Sequence, residues 1–237
     1  MNTPTIDKCI KFMNTAGGRD KVNATVQMFF RFLIQYNKRY DSSEDLLRFL
    51  NCCSSNIGNG RKFIRLGVPI ENMRGASKAL FTKDQFLKYC LVGTGTFTAF
   101  RYTLDMIQWI HSSGIQKIRG IKTYTKWANY FWLYALLFNI AGESYKLFST
   151  LKKIIIIKQN IKDSQNNGEI NTKAFKELIY QRKIRKLGTE VILQQSLETV
   201  DALCALGYAK LTPLTVSAIG ILYTMLGTHI CWSKIIT

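Results

Sequence analysis

Acidic residues, prolines, histidines and paired cysteines are all scarce in this chain. Fifteen Asp and Glu face thirty-three Lys and Arg, a net charge of +18. Such an imbalance demands a polyanionic neighbour, either nucleic acid or an anionic lipid surface, and charge alone does not separate the two. The six cysteines (Cys9, Cys52, Cys53, Cys90, Cys204 and Cys231) include no CxxC pair, and neither His111 nor His229 stands at metal-ligand spacing from them. Neither a zinc site nor a disulfide framework is expected, and a reducing compartment is the simpler reading. The first thirty residues have no continuous apolar core, because Asp7, Lys8, Lys11, Arg19, Asp20 and Lys21 interrupt them. Insertion by an N-terminal secretory signal is therefore not expected. With 47% hydrophobic residues and only three prolines, the chain is too apolar to be a disordered tail.

Strand-like alternation is also missing, and helical periodicity takes its place, so the expected fold is all-α. The pattern predicts helices over 5–15, 19–39, 43–66, 70–81, 83–111, 120–159, 172–207 and 213–232. Glycines, prolines and polar runs mark the breaks between them. Four parts follow. They are an N-terminal amphipathic helical region over 1–82, an apolar helical hairpin over 83–157, a flexible polar loop over 158–171, and a C-terminal helix with a transmembrane span over 172–237.

The strongest signal is the run 211–232, which has no Lys, Arg, Asp or Glu in 22 residues. At about 1.5 Å per residue, about 20 residues cross a hydrocarbon core of roughly 30 Å. Pro213 falls in the first turn, where its missing N–H costs little, and Lys210 and Lys234 bracket the run at headgroup level. The alternative is a buried core helix of a soluble bundle. Two weaker apolar stretches lie at 89–110, interrupted by Arg101 and Asp105, and at 127–142. Arg101 and Asp105 stand four apart on one helix face, the spacing of an intramembrane ion pair.

Near the N-terminus, Val22, Val26, Phe29, Leu33, Tyr36 and Tyr40 fall within one narrow arc of a helix, with Phe30 beside it. Lys21, Arg31, Lys38 and Arg39 lie away from that stripe, with Arg19 at the start of the helix. A helix of this kind sinks its apolar face into the acyl boundary while its cations meet anionic headgroups. Packing into a bundle with a solvated basic face fits the same periodicity.

No catalytic constellation is present. Gly58-Asn59-Gly60 begins like a dinucleotide fingerprint, but Phe63 stands where the third glycine belongs and no strand precedes it. Gly93-Thr94-Gly95 fails in the same way. The two histidines carry neither a metalloprotease motif nor a nucleophile elbow. No enzyme activity, cofactor or metal is expected. A nucleic-acid binder would leave the 211–232 run unexplained and lacks a recognisable module, so nucleic acid is not an expected partner.

The motifs, taken in order, resemble the peroxin-11 family of peroxisomal membrane proteins. Gly18-Arg19-Asp20-Lys21 resembles its Gly-Arg-Asp-Lys motif, and Gly60-Arg61-Lys62-Phe63-Ile64-Arg65-Leu66-Gly67 its Gly-Arg-Lys-x-x-Arg-Leu-Gly segment. Arg101-Tyr102 with Asp105, Trp109 and Gly114 is similar to the central series, 130–145 to the aromatic helix after it, and 201–207 to the approach to the last span. The resemblance implies an integral protein of the peroxisomal membrane, glycosomal in some lineages, that elongates the membrane and promotes organelle proliferation and fission. It also implies self-association, cooperation with a dynamin-related GTPase and its membrane adaptor, and both termini in the cytosol. The chain ends in Ile235-Ile236-Thr237, which is not the tripeptide that addresses soluble proteins to the peroxisome matrix, so targeting is expected to be internal. The competing reading is a membrane conduit for small metabolites, with Arg101 and Asp105 lining a polar path.

Overall fold

The structure is a computed structural model that describes residues 5–40, 43–166 and 172–236. It contains the helices α1 (Thr5–Met13), α2 (Ala16–Arg39), α3 (Glu44–Ile64), α4 (Val68–Ala79), α5 (Gln85–Ser112), α6 (Ile121–Asn166), α7 (Thr172–Leu206) and α8 (Pro213–Ile236), and no strand among the described residues. Local chemistry sets the boundaries. The hydroxyls of Thr15 and Ser43 and the carboxylate of Asp84 accept the backbone N–H of Gly18, Leu46 and Leu87, capping α2, α3 and α5. Gly67 (φ 90°) turns the chain from α3 into α4, and Gly207 (φ 83°) follows the last turn of α7.

Six of the helices close a ring. α2 packs on α3, α3 on α5, α5 on α6, α6 on α7, α7 on α8, and α8 returns to α2. The helix α4 lies on α5, and α1 lies on α2 and α8. Small residues permit several of these contacts. Gly93 lies under the Phe138 ring, Gly142 against Cys90, Gly220 against Met28 and Gly58 against the Gln27 side chain. Of the glycines that looked like a nucleotide motif, Gly58, Gly93 and Gly95 are thus contact points between helices, while Gly60 has open space beside it.

The helix α6 runs to Asn166, past the predicted loop start at 158. Ile154 and Ile161 are buried against Leu178 of α7, and this apolar seam keeps the turns from 158 to 166 helical despite their polar sequence. Residues 167–171, the rest of that loop, lie outside the described residues. The ring also takes helices from 1–82, 83–157 and 172–237 alike.

Candidate functional site

The helix α2 carries the predicted stripe and turns it away from the ring. Val26 is 40% exposed, Phe29 51%, Tyr36 46% and Tyr40 64%. Val22, Phe30 and Leu33 are half-buried. The side facing the ring is made of Gly18, Ala24, Gln27, Met28 and Ile34, all buried. Outside, Phe32, Tyr36 and Tyr40 form a ladder of rings with centroids 6.2 and 4.7 Å apart. A soluble bundle buries the apolar stripe; here much of it stays outside, while Gln27 is buried beside Ala24, Met28 and Ile34.

The predicted cations divide. Arg19, Arg31, Lys38 and Arg39 are exposed and Lys21 is half-buried. Lys21 and Arg31 line the central cavity, and Lys38 and Arg31 line a second one beside it. A helix lying free on a membrane would have all of them at headgroup level; packing in the ring draws Lys21 partly into the polar interior and leaves the other four exposed.

That interior is ionic. Asp20, in the first turns of α2, is gripped from α3: Arg61 Nε donates to it at 3.0 Å, and Arg65 donates through Nε at 3.1 Å and a terminal nitrogen at 3.0 Å. Arg65 also reaches Asp105 of α5 at 3.4 Å and lies 5.0 Å over the Tyr102 ring. Arg61 donates to Gln27 Oε1 at 2.7 Å, and Gln27 in turn donates to the Ser54 carbonyl at 3.3 Å. Burial alone would push the Asp20 carboxyl up, but the charges and hydrogen bonds of Arg65 and Arg61 outweigh it and hold its pKa at about 2. Burial also pushes the Lys62 ammonium down, and Lys62 donates to Gln108 at 3.4 Å.

Asp105 therefore finds its partner on α3 rather than in Arg101. The Arg101 guanidinium instead lies 4.3 Å over the Trp132 ring and 5.6 Å from that of Tyr102. Side chains one helical turn apart do meet, but Arg65 arrives from the facing helix already oriented by Asp20, and Arg101 has a better ring surface across the ring of helices. Trp132 completes this arrangement by donating its indole N–H to Glu198 at 3.0 Å.

Arg101, Trp132 and Glu198 stand where two cavities adjoin, of ≈ 680 and ≈ 360 Å³; a third, of ≈ 570 Å³, shares Gln27, Met28 and Arg31 with the larger one. Together they extend from Pro213 and Ser217 near the start of α8 to Cys231 and Lys234 near its end. The sequence reading missed Asp20, Arg61 and Arg65 as a cluster. The available signal was the four-residue spacing of the two arginines on one face of α3.

The helix α8 is long and apolar enough to cross a membrane, with mean hydropathy 1.5 over Pro213–Lys234 and only 33% of its most apolar window buried. A soluble core helix would be mostly covered. It pairs antiparallel with α2: Gly17 lies near Cys231, Thr25 meets the Thr228 hydroxyl at 3.2 Å, and Met28 covers Gly220. The helix α1 packs on the far end of α8 through Phe12 and Trp232, whose rings are 5.3 Å apart, and leaves Ile6, Ile10 and Met13 exposed. His111 is satisfied locally, its Nδ1 accepting the Ile118 N–H at 2.9 Å. No cluster able to hold a metal occurs among the described residues.

An outward apolar stripe, a buried ionic cluster and a helix of bilayer length define an all-α membrane protein. A family model described as Peroxisomal biogenesis factor 11 (PEX11) matches residues 6–232, and the chain belongs to that family. It is 24% identical over 234 residues to Peroxisomal membrane protein PMP27 of Saccharomyces cerevisiae, covering 97% of this chain and 95% of that one. Peroxisomal membrane protein PMP30B of Candida boidinii is 24% identical over 246 residues, with the same two shares. Peroxisomal membrane protein 11A of Bos taurus is 22% identical over 152 residues, 63% of this chain and 60% of its own length. No solved structure matches the chain.

Proposed function

We propose that this protein resides in the peroxisomal (in some lineages glycosomal) membrane and remodels it, elongating the organelle ahead of proliferation and fission. The observation that carries the reading is the outward apolar stripe of α2. Phe29, Tyr36 and Tyr40 meet no core of their own chain, and acyl chains are the medium that covers such a face. Held against α8, the stripe displaces lipid beside an anchored span, and α1 adds Ile6, Ile10 and Met13 at the end where Trp232 stands. Material added unequally to the two leaflets favours curvature. Family membership supports the peroxisomal setting; self-association and cooperation with a dynamin-related GTPase and its adaptor belong to the same proposal. A peptide of residues 19–40 is expected to bind and tubulate vesicles containing anionic phospholipid at low salt. A peptide that stays free in solution with those vesicles would remove the mechanism.

A second reading, a conduit for small solutes, is favoured by the closed ring and its adjoining polar cavities. Arg101 stands at their junction. Under this reading, proteoliposomes of the full chain pass a small polar solute, and Arg101→Ala changes that flux severalfold without altering the amount of protein inserted. Equal flux in protein-free vesicles would eliminate it.

A further inference from the structure

The positive charge is not spread evenly over the molecule. The second half of α6 and the first half of α7 pack on each other. They form a two-helix arm whose core is Ile154, Ile161 and Leu178. Between Leu147 and Asn166 of α6 and Thr172 and Leu187 of α7 stand ten Lys and Arg against two acids, Asp163 and Glu177. Six of the ten gather at the base of the arm, Lys152 and Lys153 on α6 and Arg182, Lys183, Arg185 and Lys186 on α7, all exposed.

Their height relative to α8 follows from the contacts between helices. His229 of α8 lies 3.8 Å from Glu190 of α7, and Tyr223 donates to Asp201 at 2.7 Å, so the two helices run antiparallel. Five residues beyond His229 comes Lys234, and five residues before Glu190 comes Arg185. At about 1.5 Å per residue both lie about 7 Å past the same contact. Gly188 faces Leu147, and Leu178 packs with Ile161, which sets Lys152 and Lys153 opposite the stretch from Arg182 to Lys186. The six cations and Lys234 thus form one collar at the level where α8 ends. Aromatic side chains accompany it: Trp232 is the last ring on α8, and Tyr145 meets Phe86 with centroids 5.1 Å apart at the start of α5. Apolar helices bounded by Trp and Tyr, then by Lys and Arg, mark a hydrocarbon–headgroup boundary.

We infer that this collar is a binding surface for anionic phospholipid headgroups, on the face of the membrane where α8 ends. It rests on the reading of α8 as a span, and it is separate from the stripe of α2. Two arguments favour lipid over an acidic protein. The collar is coplanar, as a layer of headgroups is, and it sits level with the end of the apolar span. Each cation within a Debye length of about 8 Å of that layer is attracted to it. The two carboxylates nearest the collar already have cationic partners on their own helices, Glu190 with Lys186 at 4.0 Å and Glu143 with Lys146 at 2.7 Å. Lys186 is itself one of the six, and the other five have no carboxylate within 4.0 Å among the described residues.

The test uses the full chain in neutral detergent micelles carrying fluorescent phosphatidylserine or phosphatidylcholine, with energy transfer from the protein's tryptophans as the readout. The chain is expected to prefer phosphatidylserine on the order of a hundredfold at low salt, and the preference should fall as salt rises. Replacing all six collar cations by Gln should reduce it at least tenfold, leaving only the part α2 supplies, without moving the unfolding temperature, since the side chains are exposed. Replacing Lys117, Arg119 and Lys122, near the other end of α8, should leave it in place. A six-Gln variant that keeps the preference overturns the inference. So does a wild-type chain that ignores phosphatidylserine, including one that binds polyglutamate instead. Release of the chain from vesicles by alkaline carbonate would count against the span and not against the lipid preference, so the two failures are distinguishable.

Discussion

Replacing Asp20 by Asn should lower the unfolding temperature of the purified chain on the order of 10 °C. The carboxylate is the shared partner of Arg61 and Arg65, whose side chains are only 15% and 12% exposed. Its removal leaves two largely buried guanidiniums with one carboxylate, Asp105, between them, and breaking a buried pair in this way costs about 3–5 kcal/mol. For a chain of this length each kcal/mol moves the midpoint by about 2–4 °C. Arg48→Gln, which breaks an exposed pair with Glu44 on α3, should change stability by less than about 0.5 kcal/mol. The same carboxylate sets a pH dependence. Its pKa falls from 3.8 to about 2 on folding, so its contribution is complete above pH 3.8 and is lost as pH falls through about 2. The difference amounts to about 2 kcal/mol. Thermal scans in neutral detergent between pH 5 and pH 2 should show that decline in the wild type and a flatter profile in Asp20→Asn. A shift of only a degree or two in the variant would mean that the cluster contributes little to stability.

The second large effect concerns lipid rather than folding. Val26, Phe29 and Tyr36 are each 40% exposed or more, so changing all three to Ser should lower the unfolding temperature by only several degrees, through the covered half of each side chain. Each side chain still contributes about 1 kcal/mol when acyl chains cover its outer half. Together they amount to about 3 kcal/mol, or roughly a hundredfold in vesicle partitioning of the 19–40 peptide. Tubulation by the full chain should be lost in parallel. Full tubulation by the triple variant would show that the stripe is not what deforms the membrane.

Much of this architecture was legible in the sequence because helices are specified locally. The period that grouped Val22 with Tyr40 and the break at Gly67 act within a few residues, and the predicted segments match the observed helices within a few residues at most ends. The end of α6 was missed because its helicity past 158 depends on Ile161 meeting Leu178 across the arm. The ionic cluster was hidden for a related reason. Asp20 is 41 and 45 residues from its arginines, and Arg65 is 40 from Asp105. Periodicity could place Arg101 and Asp105 on one face, but not the guanidinium that would reach Asp105 first. Periodicity also located the α2 stripe without saying which way it faces, and the buried Gln27 and Ala24 on the other side decide that.

The antiparallel pairing of α2 with α8 reaches to the extremities of the polypeptide. The opening helix rests its Phe12 on Trp232, so α1 and the last turns of α8 lie at one pole. A reporter fused to either should sense the same compartment, and a protease admitted to one side should find both or neither.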